Sequence, residues 1–265
     1  MVQDRLQLQR FELKYIIPET IALGVRDFVR AYLVLDEYGV GQPQGSYPIH
    51  SLYLDSTRLH LYWHGINGNK NRFKLRLRFY SSRPDAPVYF EIKRRVNDAI
   101  LKERAAVRRE SVASLLSGFF SGDSDLLFPD SNALAALQHF HELMTQVQAR
   151  PLAHVAYRRE AWISPTDNSV RVTMDRDVRF QPEVTPRLNT DMSQPLLVFG
   201  QPVILELKFT GRFPGWFGEL VRVFNLTQCS AAKYADGVTL LGEGRLAALA
   251  RGQSVSADFT SSAGN

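Results

Sequence analysis

A glutamate and a lysine stand two positions apart inside an apolar frame at three places: Phe11-Glu12-Leu13-Lys14, Phe90-Glu91-Ile92-Lys93 and Leu205-Glu206-Leu207-Lys208. In an extended strand, residues i and i+2 project from the same side. Each copy would therefore set a carboxylate and an ammonium on one face and two apolar side chains on the other. A denser ladder follows the same step, with Lys74, Arg76 and Arg78 alternating with Phe73, Leu75, Leu77 and Phe79. Arg171, Thr173 and Asp175 alternate with Val170, Val172 and Met174, Tyr157 and Arg159 share the spacing, and Arg10 precedes Glu12 by it. Asp175 reads equally well as a turn residue.

Solvated faces of one-sided antiparallel sheets alternate in this way too, but they ordinarily mix Thr, Ser and both charges. Here cations recur with few carboxylates. Like charges about 4 Å apart repel by about 4 kcal/mol at an effective dielectric near 20, so a concentrated cationic face calls for an anion. A polyanion would serve. If the strands close into a barrel with this face inward, the interior is a basic channel whose carboxylates could hold a divalent metal bridging phosphate oxygens. Mg²⁺ or Mn²⁺ suits such oxygen donors better than zinc.

The elements that must position these residues follow from the apolar periods and their breaks. Strands are expected near 7–17, 47–54, 73–80, 88–95, from about Lys102, and near 152–163, 169–175 and 203–209. Pro18-Glu19-Thr20 opens an amphipathic helix to about Leu33, Asp55-Ser56-Thr57 caps a short helix ending at Gly65, and residues 111–144 are helical around a Gly/Ser/Asp/Pro break. Helices also follow Pro214 and span about 230–234. The reading is one α+β domain over residues 1–251, with 252–265 a disordered tail. Its 265 residues carry a formal charge of +5, and no apolar run is long enough to cross a bilayer. The polar first ten residues lack a secretory pattern, and a lone Cys229 permits no internal disulfide, so a cytoplasmic location is expected. His60 and His64, four apart, could share a helix face, though no third metal ligand accompanies them.

The ordered set Arg10-x-Glu12-x-Lys14-Tyr15, Ser51-Leu52-Tyr53-x-Asp55, Lys74-x-Arg76-x-Arg78-x-Tyr80, Glu91-x-Lys93, Tyr157-x-Arg159, Arg171-x-Thr173-x-Asp175, Glu206-x-Lys208 and Ser230-x-x-Lys233-Tyr234 resembles the catalytic domain of the vacuolar transporter chaperone (VTC) complex. This is the polyphosphate polymerase branch of the triphosphate tunnel metalloenzymes, and the likeness runs from about Arg10 to Gly237. It implies an antiparallel eight-stranded β-barrel tunnel with appended helices. It also implies a metal ion, Mn²⁺ or Mg²⁺, and transfer of the ATP γ-phosphoryl group to phosphate or a growing polyphosphate chain. Carried over, Lys14, Arg76, Arg78, Lys93, Arg159 and Arg171 would contact phosphates, with Lys74, Lys102 and Arg104 extending the cradle. Glu206 would bind the metal, with Glu12 and Glu91 in support. Lys208, Ser230 and Lys233 would hold phosphate near one mouth, the last two from a short helix, and Tyr157 would touch the nucleotide. One departure is visible: no arginine lies between Tyr62 and Lys70, where the eukaryotic polymerases carry one, and Lys70 or Arg72 is the available substitute.

Two rivals share the same residues. An inorganic or nucleoside triphosphatase would use water as acceptor, and a non-catalytic polyphosphate-binding module would tolerate loss of Glu206. Nucleic acid is not an expected partner, since no recognition motif is present and the aromatics of the alternating runs fall opposite the cations.

Overall fold

The computed structural model describes residues 10–97, 99–167 and 169–253. Strand β1 (Arg10–Ile17) leads into helix α1 (Glu19–Val29), whose first turn is closed by the Pro18 carbonyl accepting from the backbone of Ile21 and Ala22. Then come β2 (Val34–Leu35), β3 (Ser46–Asp55), α2 (His60–Ile66) and three hairpin-linked strands, β4 (Asn71–Phe79), β5 (Val88–Val96) and β6 (Ala99–Val107). Helices α3 (Val112–Leu116) and α4 (Ser131–Gln146) precede the long strands β7 (Arg150–Ile163) and β8 (Val170–Pro182). The chain finishes with β9 (Leu196–Leu197), β10 (Val203–Thr210), α5 (Gly215–Val223), α6 (Lys233–Leu241) and α7 (Glu243–Ala250). No helix among the described residues is long and apolar enough to cross a membrane.

The strands form one sheet in the order β1-β10-β8-β7-β3-β4-β5-β6, every ladder antiparallel, with β2 added to β7 and β9 to β8. Register sorts side chains by face. Leu52, Leu54, Leu75, Leu77, Phe90 and Ile92 turn outward and pack beneath Leu137 and Phe140 of α4. Val172, Met174, Leu205 and Leu207 do the same beneath Val25 and Val29 of α1 and Phe217 of α5. Burial of each such side chain stabilises the fold by about 1.5–3 kcal/mol. The Lys/Arg/Glu positions are thereby left on the inner, concave face.

The closed eight-stranded barrel expected from sequence is not formed. Among the described residues the sheet starts at β1 and ends at β6, and no ladder joins these two strands. Other backbone occupies their outer edges. Tyr15 of β1 bridges to Gln228, and the Cys229 N–H donates to the Lys14 carbonyl at 2.9 Å. Val107 of β6 bridges to Leu126, and Leu127 N–H donates to the Ala106 carbonyl at 2.8 Å. Edge groups satisfied in this way have no need of each other. The sheet is therefore an open trough whose lips approach through side chains, with Lys93 Nζ of β5 lying 3.1 Å from Glu12 Oε2 of β1.

Candidate functional site

The concave face encloses a cavity of about 1030 Å³. Among the described residues, twelve Lys and Arg side chains line it against two carboxylates, Glu12 and Glu206. Three more carboxylates, Asp36, Glu91 and Asp175, stand behind the cations, so positive charges exceed negative ones by seven. Each strand contributes alternate residues, as the period of two requires: Lys74, Arg76 and Arg78 from β4, Lys93 from β5, Lys102 and Arg104 from β6, Arg159 from β7, Arg171 from β8 and Lys208 from β10.

Glu91 organises one wall. Only 1% exposed, it receives Arg76 Nε and Nη2 at 2.8 Å, Lys102 Nζ at 2.9 Å, Arg104 Nε at 3.3 Å and Arg78 Nε at 3.7 Å. Burial pushes its pKa up, but Arg76, Arg78 and Lys102 outweigh that and hold the carboxyl far below its usual range. A carboxylate anchored beneath several guanidinium groups fixes their orientation while leaving other N–H groups free for a ligand.

Glu206 and Asp175 organise the facing wall. Arg159 grips Asp175 through two bonds of 2.7 Å, and its Nη2 lies 3.5 Å from Glu206. Lys233, the first residue of α6, reaches Asp175 at 2.7 Å and Glu206 at 3.3 Å. Lys14 lies 3.4 Å from Glu206, Lys208 also contacts it, and Thr173 Oγ1 donates to it at 3.3 Å. Burial pushes the Glu206 pKa up, yet Lys208, Lys233, Lys14 and Arg159 together hold it well below the ordinary value. Lys74 differs, since it makes no hydrogen bond or ion pair among the described residues. Burial, with Lys93, Lys14 and Arg76 nearby, lowers its pKa to about 8 against the opposing effect of Tyr53. Burial likewise lowers Lys102 and Lys208 to about 8, against Glu91 and Glu206 respectively.

Of the residues expected from sequence, the structure brings Lys14, Lys74, Arg76, Arg78, Lys93, Lys102, Arg104, Tyr157, Arg159, Arg171, Lys208, Lys233, Glu12 and Glu206 to the cavity wall. Glu91 lies behind that wall. Ser230 is exposed, precedes α6 rather than lying on it, and does not line the cavity. Lys70 and Arg72 also fall outside the lining, with Arg72 donating to the Asn69 carbonyl. Asp175 sits inside β8, not in a turn.

Two features go beyond the expected site. Asp36, just after β2, is buried and pairs with Arg171, whose guanidinium also reaches the Tyr47 hydroxyl at 3.4 Å. Besides the expected Tyr157, several more tyrosines, Tyr53 among them, share the cationic face, where the aromatics of the alternating runs were otherwise expected opposite the cations. Tyr53 accepts from Arg76 at 3.2 Å and stacks on Tyr234 at 4.8 Å, while Tyr157 accepts from Arg78 at 3.3 Å. Burial pushes the Tyr53 pKa up, but Arg76 and Lys74 outweigh that and bring it to about 8. The motif Ser51-Leu52-Tyr53 already carried the parity that places Tyr53 inward.

No group of three or more His, Cys, Asp or Glu side chains gathers in metal-holding geometry among the described residues. His60 and His64 do meet, with ring centroids 4.1 Å apart, away from the cavity. Inside the cavity, the Lys14 ammonium lies between the two lining carboxylates, 3.2 Å from Glu12 and 3.4 Å from Glu206. Two hard oxygen donors fit Mg²⁺ or Mn²⁺ if phosphate oxygens and water complete the coordination.

A cavity with a seven-charge cationic excess presents a strongly positive potential, which favours anionic ligands. The VTC domain family matches over residues 9–242, and the chain belongs to that family. A search of curated proteins finds no match. Among solved structures, the chain is similar to a candidate adenylate cyclase from Bacillus halodurans at 14% identity and a TM-score of 0.47, covering 85% of this chain and 94% of that one. It is similar to a Pyrococcus horikoshii OT3 protein at 12% identity and 0.44, covering 87% and 98%, and to a candidate adenylate cyclase from Vibrio parahaemolyticus at 10% and 0.41, covering 86% and 97%.

Proposed function

We propose that the protein transfers the γ-phosphoryl group of ATP to phosphate or to a growing polyphosphate chain within this cavity. In the reaction the bond from the γ-phosphorus to its bridging oxygen breaks, a new bond to the acceptor oxygen forms, and ADP leaves. The observation that carries the reading is the twelve-cation wall in a chain of this family.

Phosphoryl transfer asks the protein mainly to hold the attacking and leaving oxygens in line and to neutralise charge on the equatorial oxygens. Arg76 and Arg78, held by Glu91, and Arg159, held by Asp175, offer oriented guanidinium groups from facing walls. Planar forks of this kind bind phosphate bidentately, whereas Lys14, Lys74, Lys93, Lys208 and Lys233 act as movable point charges. Arg171, held by Asp36, and Lys102 and Arg104 extend the cradle along the cavity. Glu206, with Glu12, would hold Mg²⁺ or Mn²⁺, which when bound supplies further neutralisation of the triphosphate.

The test is ³¹P NMR of purified protein with ATP and Mn²⁺ or Mg²⁺, beside a Glu206→Gln control. Internal-chain phosphate signals that disappear in the control are the expected result. Orthophosphate as the sole new species would assign a triphosphatase, and an unchanged ATP spectrum would refute both chemistries.

A further inference from the structure

The tyrosines on the cationic face are unevenly distributed. Tyr80 follows β4, Tyr89 lies near the start of β5, Tyr47 near the start of β3, and Tyr38 in the turn after β2. The register places these positions at one end of the trough, with Arg78 opposite Tyr89 and Tyr47 opposite Arg159. All four line the same cavity as the arginines, and two of the rings stand well out of the protein, Tyr38 at 63% exposed and Tyr80 at 38%.

Neither exposed ring is loose. Tyr80 meets Tyr89 edge to face at 6.0 Å, and Tyr38 meets Tyr47 at 5.8 Å. The far side of this mouth is braced by Arg104, whose guanidinium carbon lies 3.5 Å from the Tyr89 ring centre. The turn bearing Tyr38 is tied to the phosphate wall as well. The Tyr38 N–H donates to Asp36 Oδ1 at 3.0 Å, and the other oxygen of that carboxylate pairs with Arg171. One carboxylate thus sets both an exposed ring at the rim and a guanidinium inside. Exposed, braced aromatic rings above a polycationic cavity are suited to a ligand with a planar ring at one end and several negative charges at the other.

We propose that Tyr38 and Tyr80 form a subsite for the base of a nucleoside triphosphate whose phosphates lie among the cations below. The proposal rests on the triphosphate reading above and adds where the nucleoside end sits. Stacking reads a ring face, which every base has, so the subsite accepts different bases and chiefly distinguishes a nucleotide from an inorganic phosphate chain.

The test is titration calorimetry of the full-length chain with a non-hydrolysable ATP analogue and with inorganic tripolyphosphate. The wild type is compared with a Tyr38→Ala/Tyr80→Ala double variant and a Tyr38→Phe/Tyr80→Phe double variant. The Ala variant is expected to bind the analogue about tenfold more weakly, a loss within the range for one base stacked on an aromatic ring. Its tripolyphosphate affinity should stay within about twofold, and the Phe variant should match the wild type for both ligands. An equal loss for both ligands, no loss for the analogue, or a full loss in the Phe variant would overturn the subsite. If the wild type binds tripolyphosphate but the Ala variant shows no selective loss, the subsite alone falls. If the wild type binds neither ligand, the triphosphate reading falls with it.

Discussion

Replacing Arg76 by alanine removes a guanidinium that faces the cavity while leaving its carboxylate anchor neutralised. Arg76 donates to Glu91 at 2.8 Å and to the Tyr53 hydroxyl at 3.2 Å. Without it, buried Glu91 keeps Lys102 at 2.9 Å, Arg104 at 3.3 Å and Arg78 at 3.7 Å, so the fold retains a compensated charge. Under the proposed function, what is lost is one unit charge beside the transferred group. At about 4 Å and an effective dielectric near 20, that interaction is worth about 4 kcal/mol. Removal of one oriented donor at such a site lowers kcat by about 10²–10³-fold. Eleven other lining cations remain and take over part of the role, so the expected loss of turnover is at least about tenfold, or ~1.4 kcal/mol in the barrier. Arg76→Lys should recover less than half of it, because an ammonium cannot grip Glu91 and present a planar fork together. The assay is ATP consumption at saturating substrate, with thermal melting to show that the variant is folded. A folded Arg76→Ala protein within about twofold of wild-type turnover would refute the assignment of this wall to the chemistry.

Three further outcomes follow from the same geometry. Lys74, Lys102 and Lys208, lowered to about 8 first by burial, lose charge as pH rises through that value. Tripolyphosphate affinity should therefore fall above about pH 8, and binding there should take up protons; calorimetry in two buffers of different ionisation enthalpy at pH 8.5 checks this, and no uptake would contradict it. In the ligand-free protein the sign is opposite. Between about pH 8 and 10.5 the unfolded chain holds more protons on these lysines than the folded one, so their cost to folding is relieved as pH rises. Asp55→Ala should lower stability by about 3 kcal/mol or more in urea unfolding, since it strands the N–H groups of Ser56, Leu61 and Tyr62 and the Tyr234 hydroxyl; a loss under about 1 kcal/mol would contradict the capping role. Gly237→Ala would set a Cβ 2.2 Å from the Phe180 ring, so melting should reveal a loss of about 1–3 kcal/mol, and an unchanged transition would show that the α6–β8 contact is slack.

Alternation made most of the cavity wall legible. Phe73 to Phe79 can be read only as a strand with Lys74, Arg76 and Arg78 on one side, and the structure places them so. Asp55 was legible as a cap because its type and its place before an apolar helical run specify one. Alternation fixes which face a side chain takes but not which strands become neighbours, so it could not show that Gln228, Cys229 and Leu126 occupy the edges a barrel would have joined. It also treats Glu12, Glu91 and Glu206 alike. Burial separates them, setting Glu91 behind four cations while the other two face the cavity. Asp36 and Tyr38 follow a two-residue strand, with no period to mark them; Asp36 matters through its contact with Arg171, 135 positions away, and Tyr38 through its N–H bond to Asp36. Ser230 shares a short motif with Lys233, yet the helix starts only at Lys233, which leaves the serine outside.

In the proposed function a triphosphate lies between the Arg76–Arg78 wall and the Arg159–Lys233 wall. A crystal structure of the protein with a non-hydrolysable ATP analogue tests it most directly. Phosphate density within hydrogen-bonding distance of guanidinium groups from both walls is the expected result. Well-defined phosphates bound on the outer surface, with the cavity holding only solvent, would contradict it.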